Sequence, residues 1–368
     1  MPGRAWSYIN KTQDKQNPAA IRNIIMSNKF ISNQTYNIPW LDKTLSYLSS
    51  NRSDKTQRKL ALSILVPMMA IILFLLLWEV GARQVQTSLG VLPGPEAVWE
   101  QTQSLYMEHQ AEREKEVAFY ERLQKRVDKA IASGKPAEKI EKIKDRNYTG
   151  AETFFDQILT SLITVMTGFI LASVIAIPLG IIIGMSNTLY HAFNPIIQLF
   201  KPVSPLAWLP LVTIVVSAVY VTNDPMFSKS YLTSAITVTL CCLWPTIINT
   251  AVGVSSVSKD LINVSRVLQL GWMNRTVKIV IPSSIPMIFT GLRLSLSIGW
   301  MVLIAAEMLA QNPGLGKFVW DEFQNGSSNS LARIMVAVLA IGFIGFILDK
   351  IMLMLLRSVN WDKTAILR

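Results

Sequence analysis

Asn263-Val264-Ser265-Arg266-Val267-Leu268-Gln269-Leu270-Gly271, closed further on by Ile281-Pro282, is a charged amphipathic island between long apolar segments. Leu261, Val264, Val267, Leu268 and Leu270 recur near helical spacing, which predicts a short helix with one apolar face. Arg266, Arg275 and Lys278 supply a basic side, and Gly271 is the expected helix stop. The flanking apolar segments are long enough to cross a bilayer, which takes about 20 residues. An amphipathic helix between two such crossings lies at the membrane surface, where a soluble partner can grip it.

Composition agrees with a polytopic membrane protein. Of 368 residues, 51% are hydrophobic and only 16% charged, against about 25% charged in soluble domains. The net charge of +11 points to anionic lipid head groups, with no call for nucleic acid, because the basic residues cluster beside the membrane segments. Cys241 and Cys242 are adjacent in an apolar segment and read as small packing residues. His109 and His191 stand far apart, so no metal-ligand spacing exists. No GxxxxGK[ST] loop and no Ser/His/Asp set is present, so neither nucleotide binding nor catalysis is expected of this chain itself.

The pattern along the chain predicts an all-α protein with six crossings. Residues 1–59 form a polar, basic tail read as cytoplasmic, with a short helix around Ile21 to Ile31. Leu60 to Val80 is the first crossing, within a segment 60–82, and Arg58 and Lys59 place its start inside. Residues 83–154 form an external loop. In it, Val117, Tyr120, Leu123, Val127 and Ile131 predict one amphipathic helix after Gln101, broken at Gly134-Lys135-Pro136 before a second helix to Lys144. This external helical hairpin is either a docking surface or a decoration.

The transmembrane core spans 155–357, with the loop 256–282 inside. Its crossings are Phe155–Met185, Ile196–Val221 (interrupted by the prolines between Lys201 and Pro210), Tyr231–Val254, Ile285–Leu309 and Leu331–Leu356. His191-Ala192-Phe193 is expected in a short loop, and 358–368 is a basic cytoplasmic end. Both termini and the island then face the cytoplasm.

The stretch from Asn263 to Pro282 resembles the signature loop of bacterial ABC importer permeases, written EAA-x3-G-x9-I-x-LP. Asn263, Val264 and Ser265 stand for Glu-Ala-Ala, and Gln269 falls where the family has glycine, two residues before Gly271. Lys201-Pro202-Val203-Ser204-Pro205-Leu206-Ala207-Trp208-Leu209-Pro210, Phe289-Thr290-Gly291-Leu292-Arg293, and Ala305-Ala306-Glu307-Met308 with Gly314-Leu315-Gly316 resemble the nitrate/sulfonate/bicarbonate branch. With Trp320-Asp321, the wording is similar to cyanobacterial nitrate/nitrite and bicarbonate permeases.

The resemblance implies a type I (MetI-like) permease core in a bacterial, cyanobacterial-type inner membrane. It implies a partner set of two cytoplasmic ATPase subunits that bind ATP and Mg, a second permease copy forming a homodimer, and a periplasmic or lipid-anchored solute-binding protein. No cofactor is implied on this chain. The substrate order is nitrate or nitrite, then bicarbonate, then sulfonates. The loop residues Asn263, Val264, Ser265, Arg266, Val267, Leu268, Gln269, Gly271 and Pro282 would couple to the ATPase. Val264, Val267 and Leu268 would seat the helix, and Arg266 would meet an acidic rim.

Ionisable residues inside apolar helices are functional candidates by default. Arg293 either eases passage of an anion or snorkels its stem toward head groups. Ser295, Ser297 and Trp300 line the same pathway, or the serines are helix-packing residues. Glu307, a carboxylate that would repel an anion, reads as a structural contact, with a gate as its other reading. An ion-coupled secondary transporter is the competing class, but it needs inverted repeats around midplane charges, and no internal repeat is evident.

Overall fold

The computed structural model describes residues 55–87, 90–221, 226–327 and 329–359, so almost all of the basic tail and the last residues lie outside the description. The chain divides into two compact units, Met1–Leu76 and Leu77–Arg368. Helix α1, Lys55–Gln84, straddles that boundary. In the first unit its residues from Ile64 to Leu76 are exposed and apolar on every side. Such a helix suits a hydrocarbon setting.

The second unit opens with a small hairpin of β1, Gln86–Thr87, and β2, Gly90–Val91. Helix α2, Pro95–Ala132, begins six residues before the expected Gln101. Pro95 fits the first turn, where its missing N–H would be unbonded anyway. Its 38 residues reach about 57 Å at 1.5 Å per residue. The helix stops at the expected break, where Gly134 takes a φ of +66°, and α3, Ala137–Lys144, follows. The amphipathic stripe is corrected in part: Leu123 and Val127 are buried, but Val117, Tyr120 and Ile131 are exposed. Helix α3 has only eight residues, too short to cover a stripe that runs four turns along α2.

Helix α4, Phe154–Met185, is followed directly by α5, Asn187–Phe200, and α6, Pro205–Val219. His191-Ala192-Phe193 therefore lies within a helix and not in a loop. The Ser186 hydroxyl accepts from Leu189 N at 3.4 Å and starts α5 at once. The crossing expected over Ile196–Val221 is likewise two helices bent by 95°. Pro202 and Pro205 withhold donors at the bend, and Ser204 Oγ accepts from Leu206 N at 3.3 Å to begin α6. At 15 residues, α6 is about 22 Å long, short of the ~30 Å hydrocarbon core. Among the described residues, five helices qualify as spans, or six if this bent pair counts as one.

Helix α7, Lys229–Ser255, sits at the centre of the core and packs against α4, α6 and α10, Ile281–Ala310. Small residues permit the close approach that drives helix association in lipid. A Cβ at Gly299 of α10 would lie 2.6 Å from Cys242 Sγ, and one at Gly168 of α4 2.7 Å from Ala235 O. Hydroxyls add interhelical bonds: Ser295 Oγ donates to Cys242 O at 2.7 Å and lies 2.6 Å from Thr246 Oγ1. Helices α11, Leu315–Asn325, and α12, Ser330–Val359, close the core against α10. The N-terminal part of α2 packs on α12 through Val98 and Leu105.

Candidate functional site

The island folds as helix α8, Lys259–Val267, started by the Ser258 hydroxyl, which accepts from Leu261 N at 3.4 Å. One face is anchored: Ser265 is 1% exposed and Ile262 is half-buried. The other face is bare. Val267 is 83% exposed and Leu261, Val264 and Leu268 share its side, with Trp272 and Met273 exposed just beyond. Asn263 and Arg266 are also exposed. A compact apolar face on a helix held from behind can transmit force without slack.

The expected stop at Gly271 is corrected. Leu270 N donates to Ser265 O and Gln269 N to Arg266 O, both at 3.0 Å. That pairing needs a left-handed residue after the helix, and Gln269 provides it with φ +48°. Glycine takes this conformation freely, whereas a side chain is strained there, so the resemblance had marked the right position. Gly271, in an extended conformation, instead caps α9, Trp272–Arg275. Helix α9 runs through a π-turn, Thr276–Val280, into α10, so the helix that carries the expected crossing Ile285–Leu309 already begins at Trp272. Pro282 lies in the first turn of α10, and the wide turn before it accommodates a residue with no N–H.

This longer helix changes the setting of Arg293, which now lies 21 residues, about 32 Å, past Trp272. Its Nη2 donates to Asp349 Oδ2 of α12 at 2.9 Å, and its Nε to Oδ1. The two side chains are 40% and 26% exposed. Thr290, Arg293, Leu294, Ser297 and Met301 form a stripe along α10 that the rest of the chain leaves partly or fully uncovered.

Ser295 and Trp300 lie elsewhere on α10. Ser295 is enclosed against α7, and Trp300 Nε1 donates to Ile341 O of α12 at 2.9 Å. Glu307 is fully buried and accepts from Ser161 Oγ at 2.8 and 2.9 Å and from Gly316 N at 3.0 Å. Leu315 N in turn donates to Ser161 Oγ at 2.9 Å. This carboxylate fastens the start of α11 to α4 and α10. Nothing in the sequence paired Glu307 with Ser161, 146 residues away, or Arg293 with Asp349.

Two polar clusters fasten α2. Arg333 of α12 pairs with Glu108 of α2 and with Glu322 of α11, where Nη1 lies 2.9 Å from Oε1. Glu112 is buried and accepts from Tyr148 Oη at 2.7 Å, Lys115 Nζ at 3.1 Å and Ala151 N at 3.2 Å. The Tyr148 bond, then Lys115, holds its carboxyl below the ordinary range, and the same bond raises the Tyr148 phenol.

Residues 176–360 match the family model described as binding-protein-dependent transport system inner membrane component. The chain is 35% identical to the nitrate import permease protein NrtB of Leptolyngbya laminosa, over 56% of this chain and 70% of the relative. It is 31% identical to the bicarbonate transport system permease protein CmpB of Synechococcus elongatus, over 83% and 90% respectively. A chain of the inward-facing MetNI methionine ABC transporter superposes with a TM-score of 0.49 at 13% identity, covering 56% of this chain and 95% of that one. Members of the family are the permease components of ABC importers that work with an ATPase and a binding protein. The chain belongs to this family, as a multi-pass inner-membrane permease subunit of an ABC importer of the nitrate/bicarbonate type.

Proposed function

We propose that this chain forms half of the channel of an ATP-driven importer for a small planar oxyanion, nitrate first. Two copies enclose the pathway, two cytoplasmic ATPase subunits holding ATP and Mg grip α8, and a binding protein delivers solute from the side of the α2–α3 hairpin. Both termini and the loop 256–282 face the cytoplasm, and residues 83–154 lie outside. The observation that carries this reading is the bare apolar face of Leu261, Val264, Val267 and Leu268 on a helix anchored through Ser265. Such a patch is costly in water and natural at a protein interface.

Identity of 35% to the nitrate permease over 56% of the chain supports nitrate. The bicarbonate reading stands second, supported by a 31% match that extends over 83% of the chain. Of the residues on α10, Ser297 and Arg293 on the uncovered stripe are the pathway candidates. Ser295, Trp300 and Glu307 act there through packing. Affinity belongs to the binding protein, so a weakly binding pathway suffices. The test is ATP-dependent uptake into proteoliposomes holding the assembled transporter, with 15N-nitrate and 13C-bicarbonate supplied in turn. Nitrate accumulation supports the proposal; uptake of bicarbonate alone reverses the substrate order, and uptake of neither refutes it.

A further inference from the structure

We propose that the far end of the α2–α3 hairpin is a binding site for an oxyanion of the phosphate class. A pocket of about 520 Å³ lies between the last turns of α2, the Gly134 turn and the segment after α3. Arg126 and Lys129, one turn apart on α2, share it with Lys135 and Arg146, over a floor that includes Leu123 and Ile143. No carboxylate lines it.

Several other cations of the hairpin are already partnered, whereas the pocket brings four unpaired ones together around one concavity. Arg113 pairs with Glu116 and Asp156, Lys115 with Glu112, and Lys142 with Glu138. Arg122 Nε donates to Ala118 O at 3.0 Å. Among the described residues, none of the four pocket cations is in an ion pair. They are not needed as helix caps either. Ser133 N donates to Lys129 O at 3.0 Å, Gly134 N to Ile131 O at 3.0 Å and Lys135 N to Ala130 O at 3.1 Å. The carbonyls of Lys129, Ala130 and Ile131 at the end of α2 are thus already bonded to backbone.

Four like charges around one concavity repel each other and raise the local concentration of anions. The guanidinium forks of Arg126 and Arg146 match the geometry of phosphate oxygens, and the lysines add point charges. The volume and the apolar floor leave room for an ester group beyond the phosphate itself. Arg126 lies 14 residues, about 21 Å, along α2 from the Glu112 fastening. The phosphate can be free in solution or borne by a lipid head group. The site stands apart from the transport reading and does not depend on it.

The test uses the full chain with its partner subunits in nanodiscs of zwitterionic lipid at low ionic strength. Equilibrium dialysis with labelled inorganic phosphate measures the soluble source. Native mass spectrometry after exchange into nanodiscs containing phosphatidylglycerol measures the lipid source. The double variant Arg126→Gln/Lys129→Gln should weaken saturable binding of at least one probe tenfold or more, with unchanged helicity. Arg122→Gln, a cation outside the pocket, should bind as the wild type does. Phosphate binding lost in the double variant identifies a soluble ligand; loss of retained phosphatidylglycerol alone identifies a head group. Saturable binding of neither probe, or equal weakening by Arg122→Gln, overturns the site.

Discussion

Val267→Glu separates folding from coupling. Val267 is 83% exposed, so in the isolated subunit the change falls among surface substitutions, within about 0.5 kcal/mol. Seated in an apolar groove of an ATPase, the valine would contribute about 1.5 kcal/mol or more of burial. A carboxylate in its place would also be left buried without a partner, which costs about 3–5 kcal/mol. The sum, about 4.5–6.5 kcal/mol, weakens docking by roughly a thousandfold or more at 1.4 kcal/mol per decade. The assay is the affinity of the purified ATPase subunit for the permease in nanodiscs, alongside permease-dependent ATP hydrolysis. Helicity and thermal unfolding of the free permease should match the wild type. Unchanged affinity and hydrolysis in a folded Val267→Glu subunit would refute the docking role of α8.

Other substitutions probe the internal fastenings. Glu307→Ala removes the acceptor for Ser161 and Gly316 in a dry site and should destabilise by about 3–5 kcal/mol, whereas Glu307→Gln should cost less, read by chemical denaturation in micelles. Asp349→Asn leaves the Arg293 guanidinium without its counter-charge and should cost about 1–3 kcal/mol after allowing for partial exposure. The swapped pair Arg293→Asp/Asp349→Arg should recover stability; no recovery would argue against a pairing role. Gln269→Gly relieves a left-handed glutamine and should stabilise the end of α8 by about 1 kcal/mol, slowing hydrogen exchange at the Leu270 amide. Because Glu112 titrates below its ordinary value of about 4.3, its contribution is complete above that pH and is lost as pH falls through the lowered value. Exchange at the Ala151 amide should therefore rise only in acid, and Tyr148→Phe should move that rise to higher pH.

The helices were legible because their signals are local. Apolar runs gave α4, α7 and α12 nearly to the residue, and Gly134-Lys135-Pro136 marked the turn between α2 and α3. The errors came where local signals compete. Gly271 is a good helix stop by composition, but the backbone bonds of Leu270 and Gln269 end the helix earlier. The apolar run marked a crossing from Ile285, yet a π-turn carries the helix back to Trp272. Periodicity placed Tyr120 and Ile131 on an inner face without knowing that α3 would be too short to cover them. On α10, a sequence separates polar from apolar positions but not a helix contact from an open stripe. Ser295 and Ser297 lie two residues apart on opposite sides of that distinction.

The central claim is that α8 is the handle by which a separate ATPase drives this membrane subunit. Its most direct test is a gentle detergent pull-down of the tagged chain from its native membrane, with the partners identified by mass spectrometry. Recovery of ATP-binding cassette subunits and a solute-binding protein with the wild type, and loss of the cassette subunits with Val267→Glu, is the predicted result. Recovery of the chain alone, under conditions that keep other importers whole, would contradict it.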